Sequence, residues 1–299
     1  MPLPNLDRHI SRRVMLTGLA TGIAAATLAH DGFAIQPAAP TPLKLGLVTY
    51  NWGKDWDVEE LIRNCSLTRF TGVELRSTHR HGVEISLSPA EREEVRKRFA
   101  DSDVELMGLG SACEYHAADP AVVRKNVAET KEFIHLCHDV GASGVKVRPN
   151  GLPRDVPVEK TLHQIGKALN EVAQYGADYG VQIRLEVHGQ GTAELPNIKT
   201  IMDVADHPGN VVCWNCNPQD LQGEGFDHNY DLVKDRMGTV HIHDLRKANY
   251  PWQALFDRLK VCDAPGFTGW TLIEEGAIPA DIPAAMKENR LIWEQLSKV

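Results

Sequence analysis

Four short stretches of this sequence place ionisable side chains where a metal or a proton could be handled. In VQIRLEVHGQG, residues 181–191, Arg184, Glu186 and His188 alternate with Ile183, Leu185 and Val187. Glu74 lies in GVELR, Lys146 and Arg148 lie in GVKVR, and His241 and His243 lie in TVHIH. A strand turns successive side chains to opposite faces. Each stretch therefore has one Val/Ile/Leu face and one charged or imidazole face. Asn215 and Asn217 in CWNCN and Glu274 at the end of GWTLIE extend the set. Carboxylates with one or two imidazoles form a donor set that suits Mn, Co, Zn or Mg. Such an ion polarises a vicinal hydroxyl and carbonyl as a Lewis acid. Flanking carboxylates can then move a proton on and off the neighbouring carbon.

Positioning such groups requires strands that end in one place. Between residues 43 and 299 the pattern alternates strand and helix. Expected strands are 43–50, 72–76, 104–109, 142–148, 181–191, 210–215, 239–243 and 269–274. Expected helices are 57–67, a second from Pro89, 119–140, 158–179, 195–205, 230–237, 252–259 and 283–296. Ser88, Pro89 and Glu91 form a capping-box start for the second helix. Eight such units fit α/β architecture as a single (β/α)8 TIM barrel, whose active sites lie at the C-terminal strand ends. A half-buried antiparallel sheet would also alternate, but intervening helices favour parallel strands. An open doubly wound sheet would want a Gly-rich phosphate turn, and neither Gly108-Leu109-Gly110 nor Gly189-Gln190-Gly191 has the third glycine at the required spacing.

The 299-residue chain is 42% hydrophobic and 24% charged, which is ordinary for a globular protein. Its net charge of −8 and lack of a basic block argue against a nucleic-acid partner. The six cysteines do not form a disulfide pattern. Cys213 and Cys216 have zinc-knuckle spacing, but strand alternation separates their sulfurs and no second pair exists. Residues 11–17 read SRRVMLT and precede a mild apolar run. This resembles a twin-arginine export signal spanning residues 1–34, followed by a Pro-containing linker at 35–42. The expectation is a periplasmic or secreted barrel at 43–299, with no stable membrane span after cleavage. A homo-oligomer is compatible with this reading.

The ordered residues resemble the xylose isomerase-like barrels of the sugar phosphate isomerase/epimerase superfamily, over roughly residues 43–297. Glu186 in LEVHG, His241 in HIHD and Glu274 in GWTLIE match the family's strand-five, strand-seven and strand-eight groups, and Glu74 in GVEL is also typical. The strand-six position, usually an aspartate after tryptophan, is here Asn215. The resemblance implies a divalent metal held by Glu186, Asn215, His241 and Glu274, with Glu186 and Glu274 transferring protons. Asp220, His188 or His243 are alternatives to Asn215. Glu74, Lys146, Arg148, His188, Asn217 and His243 are candidate contacts to a small carbohydrate, and Trp52 is a candidate stacking surface.

Each assignment has a plainer reading. Glu186 and Glu274 would instead pair with Lys146, Arg148 or Arg184, Glu74 would pair with Arg76, and His241 would be a hydrogen-bonded core histidine. His79 and His81 read as solvated or lid residues. The expected activity is isomerisation or epimerisation of a sugar, keto-sugar or cyclitol by proton transfer α to a carbonyl. Elimination from a 3-keto-glycoside or inosose is the alternative, and a non-catalytic sugar-binding barrel is a second. Phosphodiesterase chemistry, also found on this barrel, would need a basic groove.

Overall fold

Eight strands and eight helices alternate along the chain in the computed structural model, which describes residues 41–298. The expected export segment at 1–34 and most of the linker at 35–42 lie outside the described residues. The elements are β1 (Lys44–Val48), α1 (Val58–Thr68), β2 (Gly72–Arg76), α2 (Pro89–Ala100), β3 (Glu105–Glu114) and α3 (Pro120–Asp139). They continue as β4 (Gly144–Arg148), α4 (Val158–Ala177), β5 (Gln182–Glu186), α5 (Leu195–Val204), β6 (Asn210–Asn215) and α6 (Phe226–Asp231). The last are β7 (Met237–Ile242), α7 (Trp252–Leu259), β8 (Trp270–Ile273) and α8 (Ile282–Leu296). All strand pairs are parallel, and β8 returns to β1 through Leu45–Thr271 and Gly46–Leu272 to close the barrel. The chain is thus a single (β/α)8 barrel.

Local chemistry sets the helix starts. Asp57 caps α1, and Ser88 caps α2, each in a reciprocal box with the glutamate three residues on. Asp119 caps α3 ahead of Pro120. The helices then bury one stripe each against the strands. In α4 that stripe includes Leu162, Ile165, Leu169 and Val172.

Inside the barrel, Val48, Met107, Trp270 and Leu272 form an apolar cluster of their own. The Arg184 guanidinium lies beside it, donating to the Met107 carbonyl at 3.0 Å and the Ser143 hydroxyl at 3.0 Å. This close approach needs bare backbone. A Cβ on Gly108 would lie 2.6 Å from Arg184 Nη1, and one on Gly144 would lie 2.3 Å from Arg184 Cζ. Glycines at 108 and 110 also hide the true length of β3, which runs five residues past the expected end at Leu109 to Glu114. The expected helix at 230–237 is instead α6 followed by a 3-10 turn at Lys234–Arg236, and β7 already begins at Met237. Among the described residues, no helix is long and apolar enough to cross a membrane.

Candidate metal centre in the barrel mouth

Period-two alternation delivers Glu74 from β2, Lys146 from β4, Glu186 from β5, Asn215 from β6 and His241 from β7 to the barrel interior. Glu274 follows β8 directly, its amide still donating to the Ile242 carbonyl at 2.8 Å. Glu186 is held on both oxygens. Lys146 Nζ donates to Oε2 at 2.8 Å, and Asn215 Nδ2 donates to Oε1 at 3.0 Å. His241 Nδ1 lies 3.6 Å from Glu186 Oε1 and 3.3 Å from Glu274 Oε2. Its Nε2 lies 3.4 Å from Glu74 Oε1.

The cluster is dry at its base. Glu74 and His241 have no exposed surface, Glu186 and Lys146 have almost none, and the Glu274 side chain retains 12% exposure toward the mouth. Burial alone would neutralise these groups. Against that push, Lys146 and His241 hold the Glu186 carboxyl well below its ordinary range. His241, Lys146 and Arg184 likewise hold Glu74 down. Burial lowers the His241 imidazole, but Cys213, Glu74 and Glu274 outweigh it and raise it well above its usual value. Lys146 is also desolvated, yet Glu186, Glu274 and Glu74 keep its pKa raised.

A divalent ion fits these residues. One donor atom each from Glu186, His241 and Glu274 lie within 4.8 Å of one another. Asn215 Oδ1 and both His241 nitrogens are buried without a hydrogen-bond partner, which buried polar atoms rarely tolerate. Glu186 Oε1, Glu274 Oε2, His241 Nδ1 and a rotated Asn215 carbonyl would supply four donors. Glu74, expected as a substrate contact, lies instead behind the imidazole, where a carboxylate orients a ligating histidine. Asp220 is not part of this group. It is fully buried, accepting from Tyr250 Oη at 2.7 Å and from the Asn217 amide at 3.0 Å.

A second cluster forms the rim. Glu114 Oε1 accepts from Arg148 Nη2 at 2.7 Å and from Asn150 Nδ2 at 2.6 Å. Asn150 adopts a left-handed backbone, φ 55°, and its Oδ1 meets His188 Nδ1 at 2.8 Å. Arg148 is therefore engaged by Glu114 and not by the interior glutamates. Asn150 Oδ1 only accepts, so His188 Nδ1 carries the proton and Nε2 is the free acceptor. Asn217 Nδ2 donates to the Val187 carbonyl at 2.7 Å, tying the loops after β5 and β6. His243 Nδ1 is fixed on the Glu274 carbonyl at 2.6 Å.

Several expected roles are corrected. Trp52 is fully buried and donates to the Ala277 carbonyl at 2.7 Å, so its ring offers no stacking face. His81 is a buried clamp between the Arg76 carbonyl and the Val83 amide rather than a lid residue. Glu74 does not pair with Arg76, whose guanidinium stacks over Tyr50. Glu114 and Asn150 carry no expectation from the sequence, and Cys213 is expected there only as half of a CxxC pair. Glu114 and Asn150 were concealed by the glycine-broken strand and an irregular loop. Cys213, a buried free thiol beside His241, was visible only through its shared face with Asn215.

Residues 62–295 match the profile of the xylose isomerase-like TIM barrel, and the chain belongs to that family. No curated protein matches the chain significantly. Among solved structures, the fold resembles L-ribulose 3-epimerase with a TM-score of 0.71 at 17% identity, covering 85% of this chain and 94% of that one. It is also similar to the zinc-containing IOLI protein, with a TM-score of 0.70 at 14% identity over 85% and 98% of the two chains. The 3-keto-D-glucoside 4-epimerase YcjR from E. coli gives 0.69 at 13% identity over 85% and 99%.

Proposed function

We propose that the protein is a metal-dependent isomerase or epimerase of a sugar, keto-sugar or cyclitol, acting by proton transfer α to a carbonyl. The observation that carries this is the convergence of Glu186, His241 and Glu274 donors within 4.8 Å of one another, with Asn215 hydrogen-bonded to Glu186 beside them. The epimerases among the structural neighbours support the substrate class, as does the IOLI barrel holding zinc. A divalent ion held by Glu186, Asn215, His241 and Glu274 would supply Lewis-acid charge to the substrate carbonyl oxygen. Glu274, at the mouth, carries the proton between substrate carbon and solvent. Glu186 is clamped by Lys146 and Asn215 and serves chiefly as a fixed anionic ligand, so its share of proton transfer is the smaller. His188 Nε2 accepts from a substrate hydroxyl, with Asn150 and Glu114 holding its ring. An export signal at residues 1–34, which SRRVMLT resembles, would put this activity in the periplasm or outside the cell, where free sugars and glycosides outnumber sugar phosphates.

The asymmetry between the two glutamates favours elimination from a keto-glycoside or inosose as the second reading. A single base suffices to abstract the α proton and expel a β leaving group, whereas inversion at carbon draws on a group at each face. The experiment is incubation of the metal-loaded protein with ketoses, inososes and 3-keto-glycosides in deuterated water. Deuterium at the α carbon is expected, with product release distinguishing elimination from isomerisation. A panel without exchange in any member would remove the proton-transfer reading.

A further inference from the structure

The interior carboxylates of the site already have basic side chains against them. Lys146 Nζ lies 2.8 Å from Glu186, and Glu74, Glu186 and Glu274 each lie within 3.6 Å of a ring nitrogen of His241. The two donors on Glu186 also stand where a metal would act. Asn215 Nδ2 covers the Oε1 oxygen nearest His241, at 3.0 Å, and the Lys146 ammonium holds Oε2 at 2.8 Å. A dication must displace the first and share the carboxylate with the second. Asn215 itself brings a carbonyl dipole to the site and no charge. An aspartate there would add an anion to the donor set.

We infer that Lys146 and Asn215 tune this centre to remain folded without its metal and to bind a dication weakly and exchangeably. This rests on the metal-dependent reading above. The two residues act in different ways. Lys146 supplies a permanent positive charge within reach of the metal's own ligand, which opposes a second cation at short range in a dry site. Asn215 donates to Glu186 through Nδ2 at 3.0 Å, and must rotate its amide to offer Oδ1. In the present orientation that Oδ1 is buried without a hydrogen-bond partner. Both devices lower affinity without removing a ligand. Lys146 also spares the metal-free protein an unpaired buried carboxylate at Glu186.

The test is calorimetric titration of Mn2+ into chelator-treated wild type, Asn215→Asp and Lys146→Met, with thermal melts of each protein in chelator. The wild type is expected to stay folded in chelator and to bind Mn2+ reversibly. Asn215→Asp, an isosteric change that adds one charge, should bind roughly tenfold tighter or better and melt lower in chelator. Lys146→Met should also bind tighter. If Lys146→Met fails to fold, Asn215→Asp carries the test alone. Wild type and Asn215→Asp binding equally tightly would overturn the inference while leaving the metal-dependent function intact. No binding by any of the three proteins would overturn both.

Discussion

The interior cluster and the rim cluster are built from the same residue types under different constraints. Inside, Glu74, Lys146, Glu186, Asn215 and His241 come from strand positions and have almost no exposure. Each charge there is fixed by an opposite charge, so no residue can be removed without stranding its partner. On the rim, Glu114, Arg148, Asn150 and His188 hang on a strand end and loops, and the ion pair is 17% and 23% exposed. Solvent can replace a lost partner at the rim and not in the interior. On the proposed function the interior would govern stability and metal affinity together, while the rim would govern substrate orientation with little effect on folding.

The largest effect should come from breaking the interior pair. Glu186→Ala strands the buried Lys146 ammonium and should cost about 3–5 kcal/mol in urea unfolding. The double variant Glu186→Ala with Lys146→Met should recover much of that loss, because the stranded charge is gone. No recovery would mean that the pair is not the source. His241→Ala should next abolish Mn2+ binding in calorimetry and reduce activity by about a hundredfold or more.

The pH dependence of the metal-free protein follows from the raised and lowered groups. His241 is raised well above its usual value, so its stabilisation is full below pH about 6.5 and fades as pH rises through the folded value. Glu186 is lowered, so its stabilisation is full above its usual range and is lost as acid protonates it. The metal-free protein should therefore lose stability toward both alkaline and strongly acid pH. Asp220 adds a loss as pH rises from about 4 to 7, since burial raises its carboxyl to about 7 and the unfolded chain releases the proton first. Asp220→Asn keeps an acceptor for Tyr250 and should flatten the stability slope between about pH 4 and 7, leaving the His241 contribution in place. An unchanged slope in thermal melts would contradict the burial assignment.

At the rim, Asn150→Ala should release His188. Activity should fall by about tenfold, with stability changed by no more than about 1 kcal/mol. A large stability loss would place the rim in the same class as the interior and erase the distinction.

The difference between the clusters also explains what was legible in the sequence. Interior residues obey strict alternation and sit at strand ends, so Glu186, Asn215, His241 and Glu274 appear among the strand-end polar residues from period and order, and the family resemblance is what singles them out as a ligand set. Their pairing could not be found that way, because strand alternation does not say which neighbours touch. Lys146 against Glu186 and Glu74 behind His241 emerge only from the closed register. The rim escaped because Asn150 depends on a left-handed backbone and Glu114 on a strand interrupted by glycines. Trp52 and His81 depart from their expected roles for a related reason. A loop position does not reveal that its side chain is buried and hydrogen-bonded.

The most direct test of the metal centre is an anomalous difference map from crystals soaked in zinc. A single peak is expected about 2.0–2.2 Å from Glu186, His241 and Glu274 donor atoms, with the Asn215 amide rotated to present Oδ1. Saturating zinc with no peak among these residues, or a peak held by other groups alone, would contradict the account.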